Sequence, residues 1–245
     1  MSNTFLGKLL TDISDPVGRL FLPFLRFYRL RYWIVRIRYA VLKRNMRFAE
    51  YRTPQIGEKT VSHNLSAFKY PRAAFGCGGR MGLLIYPIIG YFTKDREKQK
   101  ILAVGCRTED DIYWLRAYRF RDTYGFDLFS YSNNILVGDI HKTTFPDHTY
   151  DVILLGWVLS YSKDPAAIIK ECKRILKPGG LLGIGIEHNP HQNTEGVGAV
   201  RANLLNSTND LIKLLDSTIE HKIVFEYDHY HPSERGSVII TRVLA

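Results

Sequence analysis

Five short apolar runs in this 245-residue chain each end in residues that can bind a ligand or move a proton. After the first, 101-ILAV-104, come Gly105, Cys106 and Arg107; after the second comes Asp127, and after the third Asp139. The fourth leads into Trp157 to Tyr161, and the fifth into Glu187 and His188. Asp127 lies 22 residues beyond Gly105, the spacing at which a carboxylate accepts both hydroxyls of a ribose held over a glycine turn. In 187-EHNPH-191, His188 or His191 could take a proton from a hydroxyl near neutral pH, with Glu187 to orient either one. The plainer reading makes them solvated loop residues. The other histidines, His63, His141, His148, His221, His229 and His231, show no metal-like grouping, so no metal site is expected.

These residues need a frame that gathers strand ends. From residue 101 the pattern alternates strand and helix, which predicts a mostly parallel sheet of βαβ units. Strands are expected at 101–105, 124–128, 135–138, 150–157 and 181–187, and helices at about 109–120, 165–176 and 208–218. The second helix is expected to stop at Pro178-Gly179-Gly180. Two β-rich runs, 221–230 and 236–244, predict an antiparallel hairpin that closes the sheet. In such sheets ligands bind beyond the carboxyl ends of the strands, where the candidate residues stand.

Taken together, 101-ILAVGC-106, 125-GFDLFS-130, 138-GDIHKTTFPDHTYDVILLGWVL-159 and 171-ECKRILKPGG-180 resemble, in order and spacing, the successive motifs of the class I S-adenosylmethionine-dependent methyltransferases of the type 11 kind. The resemblance covers roughly residues 98–188. It implies a doubly wound α/β fold with a seven-stranded Rossmann-like sheet of order 3-2-1-4-5-7-6, the last strand antiparallel. It also implies S-adenosylmethionine as cofactor, with Gly105 and Cys106 under its methionine moiety, Asp127 and Leu128 at the ribose, and Asp139 with Ile140 at the adenine. Trp157 and Tyr161 would wall the acceptor pocket. The chain departs from the family pattern at Ala103, where an acid is usual, and at Arg107 and Glu109, where glycine is. Arg107 and Glu109 could instead pair with the carboxylate and ammonium of the cofactor's zwitterionic end. The acids Glu109, Asp110 and Asp111 equally suit a helix N-terminus.

The net charge of +10 is uneven: residues 1–60 hold 12 Lys/Arg against 4 Asp/Glu, while residues 61–245 hold 22 against 20. The expected division is a basic, aromatic helical extension (1–60), a connector or cap (61–97) and a methyltransferase-like domain (98–245). Within 18–47, Arg19, Arg26, Arg29, Arg36, Lys43 and Arg44 share one arc of a helix, with Phe27, Leu30, Ile34, Ile37 and Val41 beside it. Arg31 and Arg38 interrupt the apolar side. Such a helix lies on an anionic membrane surface, packs on the domain, or binds nucleic acid or a partner protein. The apolar run 81–92 contains Pro87 and is too short to span a bilayer, so a helix broken near that proline is expected.

Three scattered cysteines, Cys77, Cys106 and Cys172, and no leader pattern fit a cytoplasmic protein. Three functions are compatible with all this: methyl transfer to a small-molecule, lipid-linked or saccharide acceptor, at oxygen; a methyltransferase-like binding or scaffold protein without activity; and RNA methylation. The third is disfavoured because residues 61–245 carry only +2.

Overall fold

The computed structural model describes residues 21–50, 56, 59–69, 78–188, 205–231 and 234–244. His191, Cys77, residues 1–20, 51–55 and 57–58 of the extension and connector residues 70–77 lie outside them.

Seven strands build one sheet: β1 (Lys100–Val104), β2 (Asp122–Asp127), β3 (Ile135–Val137), β4 (Tyr150–Gly156), β5 (Leu176–His188), β6 (His221–His231) and β7 (Glu234–Val243). Their order is β3-β2-β1-β4-β5-β7-β6, as the resemblance implied. β1 to β5 pair in parallel, and β7 runs antiparallel to both β5 and β6. β1, β4 and the stretch Leu181–Ile186 of β5 are buried almost throughout, so they read as near-continuous apolar runs.

Helices cover both faces. α5 (Pro165–Ile175) and α6 (Thr208–Thr218) bury Ile168, Ile169, Cys172, Ile175, Leu211 and Leu215 against one face. Both helices are capped as their sequences suggest: Asp164 accepts from Ala167 N and Ser207 from Asp210 N. On the other face, α3 (Gly78–Tyr91) packs Leu84, Ile85 and Ile88, and α4 (Asp110–Ala117) packs Trp114 and Leu115. α1 (Tyr28–Leu42) lies on α4, and α2 (Thr60–Ser66) lies in the connector.

Three local expectations change. α3 is not broken at Pro87 but runs through it. A proline inside a helix costs about 3 kcal/mol, and three fully buried aliphatic side chains on the same helix offset that. Pro178-Gly179-Gly180 does not separate α5 from the next strand, because β5 begins at Leu176 and absorbs the turn as a register shift, with Gly179 at φ +77°. α4 ends at Ala117, short of residue 120.

The extension also folds differently from its helical wheel. The side of α1 turned to the domain carries Arg31, Val35 and Arg38, all buried, while Leu30, Trp33, Ile37 and Val41 face outward.

Candidate active site

β1 delivers the chain to Gly105, which takes φ +75°. A Cβ there would lie 2.5 Å from Val158 Cγ2, so backbone conformation and the neighbouring strand end both demand glycine. Arg107 continues the turn at φ +52°, and its N–H donates to Asp127 Oδ2 at 2.9 Å. Leu128 N donates to Asp127 Oδ1 at 2.7 Å. Asp127 is thus gripped by the backbone on both sides of the β1–β2 junction. Burial pushes its carboxyl up to about 6, and these N–H groups, with the Arg107 charge, counter only part of that rise.

A cleft of about 500 Å³ opens above these strand ends, within the ~300–1,000 Å³ range of small-molecule sites. Its wall includes Gly105, Cys106, Arg107, Asp127, Leu128, Asp139 and Ile140, seven residues expected at a cofactor, and Trp157, expected at the acceptor. Tyr161 lines it too. Trp157 sits at φ +59°, with its ring against Gly185, where a Cβ would meet ring carbons at 2.9 to 3.0 Å.

Glu109 is the exception among the expected cofactor contacts. It does not line the cleft. It points the other way, fully buried, and accepts from Arg38 Nε at 2.7 Å and Arg38 Nη2 at 2.9 Å. Ser132 Oγ and Asn134 Nδ2 also donate to it, at 2.5 and 2.7 Å, so no capacity for a ligand ammonium remains on that side.

Glu187 and His188 are likewise not part of the cleft wall. Glu187 forms an ion pair with Arg80, which itself lines the cleft and lies over the Trp157 ring at 5.6 Å. His188 Nε2 meets Ser237 Oγ at 2.6 Å, on strand β7 beside β5.

Several cleft residues escaped the sequence reading. His141 is the main one: Asp139 Oδ1 accepts from its backbone N–H at 3.0 Å and contacts its Nδ1 at 2.7 Å, and its Nε2 meets Ser162 Oγ at 2.5 Å. The available signal was an Asp two residues before a His at a strand end, since an Asx turn brings residue i+2 beside the carboxylate. The end of the extension supplies Ile56 and Thr60 and the connector Asn64, which close one side of the cleft; Asn64 Oδ1 accepts from Arg107 Nη2 at 2.7 Å.

The residues fit an adenosyl ligand with a zwitterionic end. Asp127 offers a carboxylate to the ribose, and Ile140 and Val158 offer apolar surface to the base. Arg107 Nε and Asp110 Oδ2 are buried with no hydrogen-bond partner among the described residues. Asp111, also on the wall, is buried without a described hydrogen bond, and burial pushes its carboxyl up strongly. Among the described residues no cluster of His, Cys, Asp or Glu could hold a metal ion.

Comparison with known proteins agrees with this geometry. Residues 102–184 match the model of the methyltransferase domain family. An uncharacterized methyltransferase of Schizosaccharomyces pombe is 46% identical over 46 residues, 19% of this chain and 16% of that protein. Malonyl-acyl-carrier-protein O-methyltransferase 1 of Coxiella burnetii is 37% identical over 51 residues, 21% of this chain and 18% of that one. The matched segment therefore spans less than a fifth of either curated relative. The crystal structure of 1,6-didemethyltoxoflavin-N1-methyltransferase of Burkholderia thailandensis, with 1,6-didemethyltoxoflavin and S-adenosylhomocysteine bound, superposes with a TM-score of 0.62 at 13% identity, covering 82% of this chain and 95% of that one. Residues 102–184 thus carry a methyltransferase-domain segment, set in a seven-stranded Rossmann-like sheet with the strand order that the resemblance implied.

Proposed function

We propose that this protein is an S-adenosylmethionine-dependent methyltransferase acting on a small-molecule acceptor at oxygen. The observation that carries the reading is Asp127, a buried carboxylate aimed at the cleft beside the Gly105 turn and held near 6, where it is largely ionised at neutral pH. Bound in the cleft, the cofactor supplies an electrophilic methyl group on a sulfonium centre. Asp127 would accept the ribose hydroxyls. Arg107 Nε would meet the carboxylate of the zwitterionic end and Asp111 its ammonium, which moves the second role from Glu109 to a neighbour on the same turn. Trp157 and Tyr161 would hold the acceptor flat and exclude water, since displacement at a methyl carbon chiefly requires alignment.

Methylation of a hydroxyl also requires that its proton leave. With Nδ1–H donated to Asp139, His141 would present Nε2 as an acceptor toward the Ser162 hydroxyl, a two-step proton relay along the cleft wall. That chain supports oxygen, and the O-methyltransferase name of the Coxiella burnetii relative agrees with it. The exposed apolar side of α1 fits an acceptor carried on a lipid, such as a lipid-linked saccharide. Cys106 and Cys172 are free, buried thiols, which fits a reducing compartment such as the cytoplasm.

Calorimetric titration of S-adenosylmethionine and S-adenosylhomocysteine into the wild type and Asp127→Ala tests the reading. The wild type should bind both, and the variant at least tenfold more weakly. No binding by the wild type would sink the enzyme reading and leave a binding or scaffold domain.

A further inference from the structure

A helix packed on a soluble domain normally turns apolar residues inward and charge outward. α1 departs from this in part: two arginines are among its most buried residues, and four apolar side chains face outward. Arg31 and Arg38 are 1% exposed and Val35 is fully buried, whereas Trp33 is 55% exposed, Ile37 49%, Val41 42% and Leu30 41%. The spacing 30, 33, 37, 41 puts those four side chains on one stripe. Phe21, Phe24 and Phe27, just before the helix, are exposed as well.

The inward charges explain how the stripe is held. Arg31 Nε donates to Asp110 Oδ1 at 2.8 Å and Nη1 to Leu25 O at 2.9 Å, with the guanidinium 4.3 Å over the Trp114 ring. Arg38 makes the two-pronged pair with Glu109. Two buried ion pairs therefore clamp the helix to the domain while leaving its apolar side outward. The helix backbone is therefore already ordered when that side binds something, which removes a folding cost.

We infer that this face docks on an anionic membrane surface. The charge around it selects that occupant. Residues 21–48 contain eight Lys/Arg and no Asp or Glu. With Arg31 and Arg38 buried, six remain: Arg26, Arg29, Arg36, Lys43, Arg44 and Arg47. Among the described residues no acid pairs with Arg29, Arg36, Lys43 or Arg44. Cations bordering an apolar and aromatic stripe match lipid headgroups above acyl chains. Two copies of this face would instead oppose cation to cation. No described helix is long and apolar enough to cross a membrane, so the contact is one of surface docking.

Position gives the docking a use. The acids that clamp α1 belong to the turn that also contributes Thr108, Asp110 and Asp111 to the cleft wall. Docking through α1 would hold that wall on the order of one helix diameter, ~10 Å, from the lipid. The inference does not depend on methyl transfer, since the face would dock whatever the cleft binds.

Vesicle co-sedimentation of the full chain tests it, with phosphatidylcholine alone against phosphatidylcholine mixed with phosphatidylglycerol. The wild type should pellet with the anionic vesicles and not the zwitterionic ones. Arg29→Gln/Arg36→Gln should lower partitioning roughly thirtyfold, at about 1 kcal/mol per cation. Trp33→Ser/Ile37→Ser should abolish it while the thermal midpoint stays near wild type, because both side chains are outside the core. Equal pelleting by the Trp33→Ser/Ile37→Ser variant, no pelleting by the wild type, or equal pelleting with both lipids would overturn the inference. So would a wild-type dimer in solution that this variant dissociates, which would assign the face to a second copy.

Discussion

Two buried carboxylates near the Gly105 turn are shifted in opposite directions. Glu109 faces the seam with α1. Burial pushes its carboxyl up, but the Arg38 hydrogen bonds and charge, with Asn134 and Ser132, reverse that and leave it below its ordinary value. Asp127 faces the cleft. Burial pushes it up to about 6, and it has backbone N–H groups for partners rather than a paired cation. An acid neutralised by a buried cation is committed to structure. One stabilised only by backbone dipoles keeps capacity for a ligand and remains sensitive to pH.

The consequences for stability carry opposite signs. Glu109, lowered in the fold, contributes stability that is present above the unfolded value of 4.5 and is lost as pH falls below it. Asp127, raised from 3.8, keeps a proton in the folded state that the unfolded chain releases, so its ionisation costs stability as pH rises from about 4 to about 6. Substitutions on the seam side should therefore move stability, and substitutions on the cleft side should move binding and turnover.

The largest expected effect is on the seam. Glu109→Ala leaves Arg38 buried without its partner and should cost about 3–5 kcal/mol in urea denaturation, whereas Arg38→Met/Glu109→Leu should recover most of that. A loss below about 1 kcal/mol in the single variant would show that the pair does not hold α1. Next comes the cleft histidine. His141→Asn should reduce kcat about a hundredfold, with S-adenosylhomocysteine affinity within threefold of wild type, because the side chain is assigned to proton removal. If affinity and turnover fall together, His141 shapes the cofactor site instead.

The sequence exposed one side of this comparison and hid the other. Gly105, Asp127 and Asp139 could be read because each follows a strand of its own, and strand ends of a parallel sheet converge by topology. Glu109 could not, since its partner Arg38 is 71 residues away and only the packing of α1 decides which way the side chain turns. The same packing inverts the helical wheel of α1: Arg31 and Arg38 look like interruptions of an apolar face until their acids are located. Ile56, Thr60 and Asn64 reach the cleft from the junction of extension and connector, a stretch without periodicity, and no local pattern marks them. Helix α6 was legible to the residue, since its Ser207 cap and apolar spacing are both local.

A smaller effect sharpens the cleft side. If Asp127 must be ionised to accept two hydroxyls, S-adenosylhomocysteine affinity in the wild type should be level above about pH 6.5 and should have fallen about tenfold by pH 5. Asp127→Asn should bind weakly at every pH, with no such slope. A flat wild-type profile would mean that the ribose is held by something else.

The smallest expected effect decides between two histidines. His188 stands at the end of β5, where a general base was expected, but its Nε2 contacts Ser237 Oγ, which also meets Thr208 Oγ1 at 2.5 Å and donates to Asp228 Oδ1 at 3.2 Å. That network ties β5 to the terminal hairpin and α6, with none of its members on the cleft wall. His188→Gln should therefore change kcat less than twofold and cost no more than about 1 kcal/mol of stability, the worth of one hydrogen bond. A hundredfold loss of kcat in His188→Gln, with His141→Asn unaffected, would place proton removal at the β5 end and reduce the Asp139–His141–Ser162 chain to a structural tie between the ends of β3 and β4.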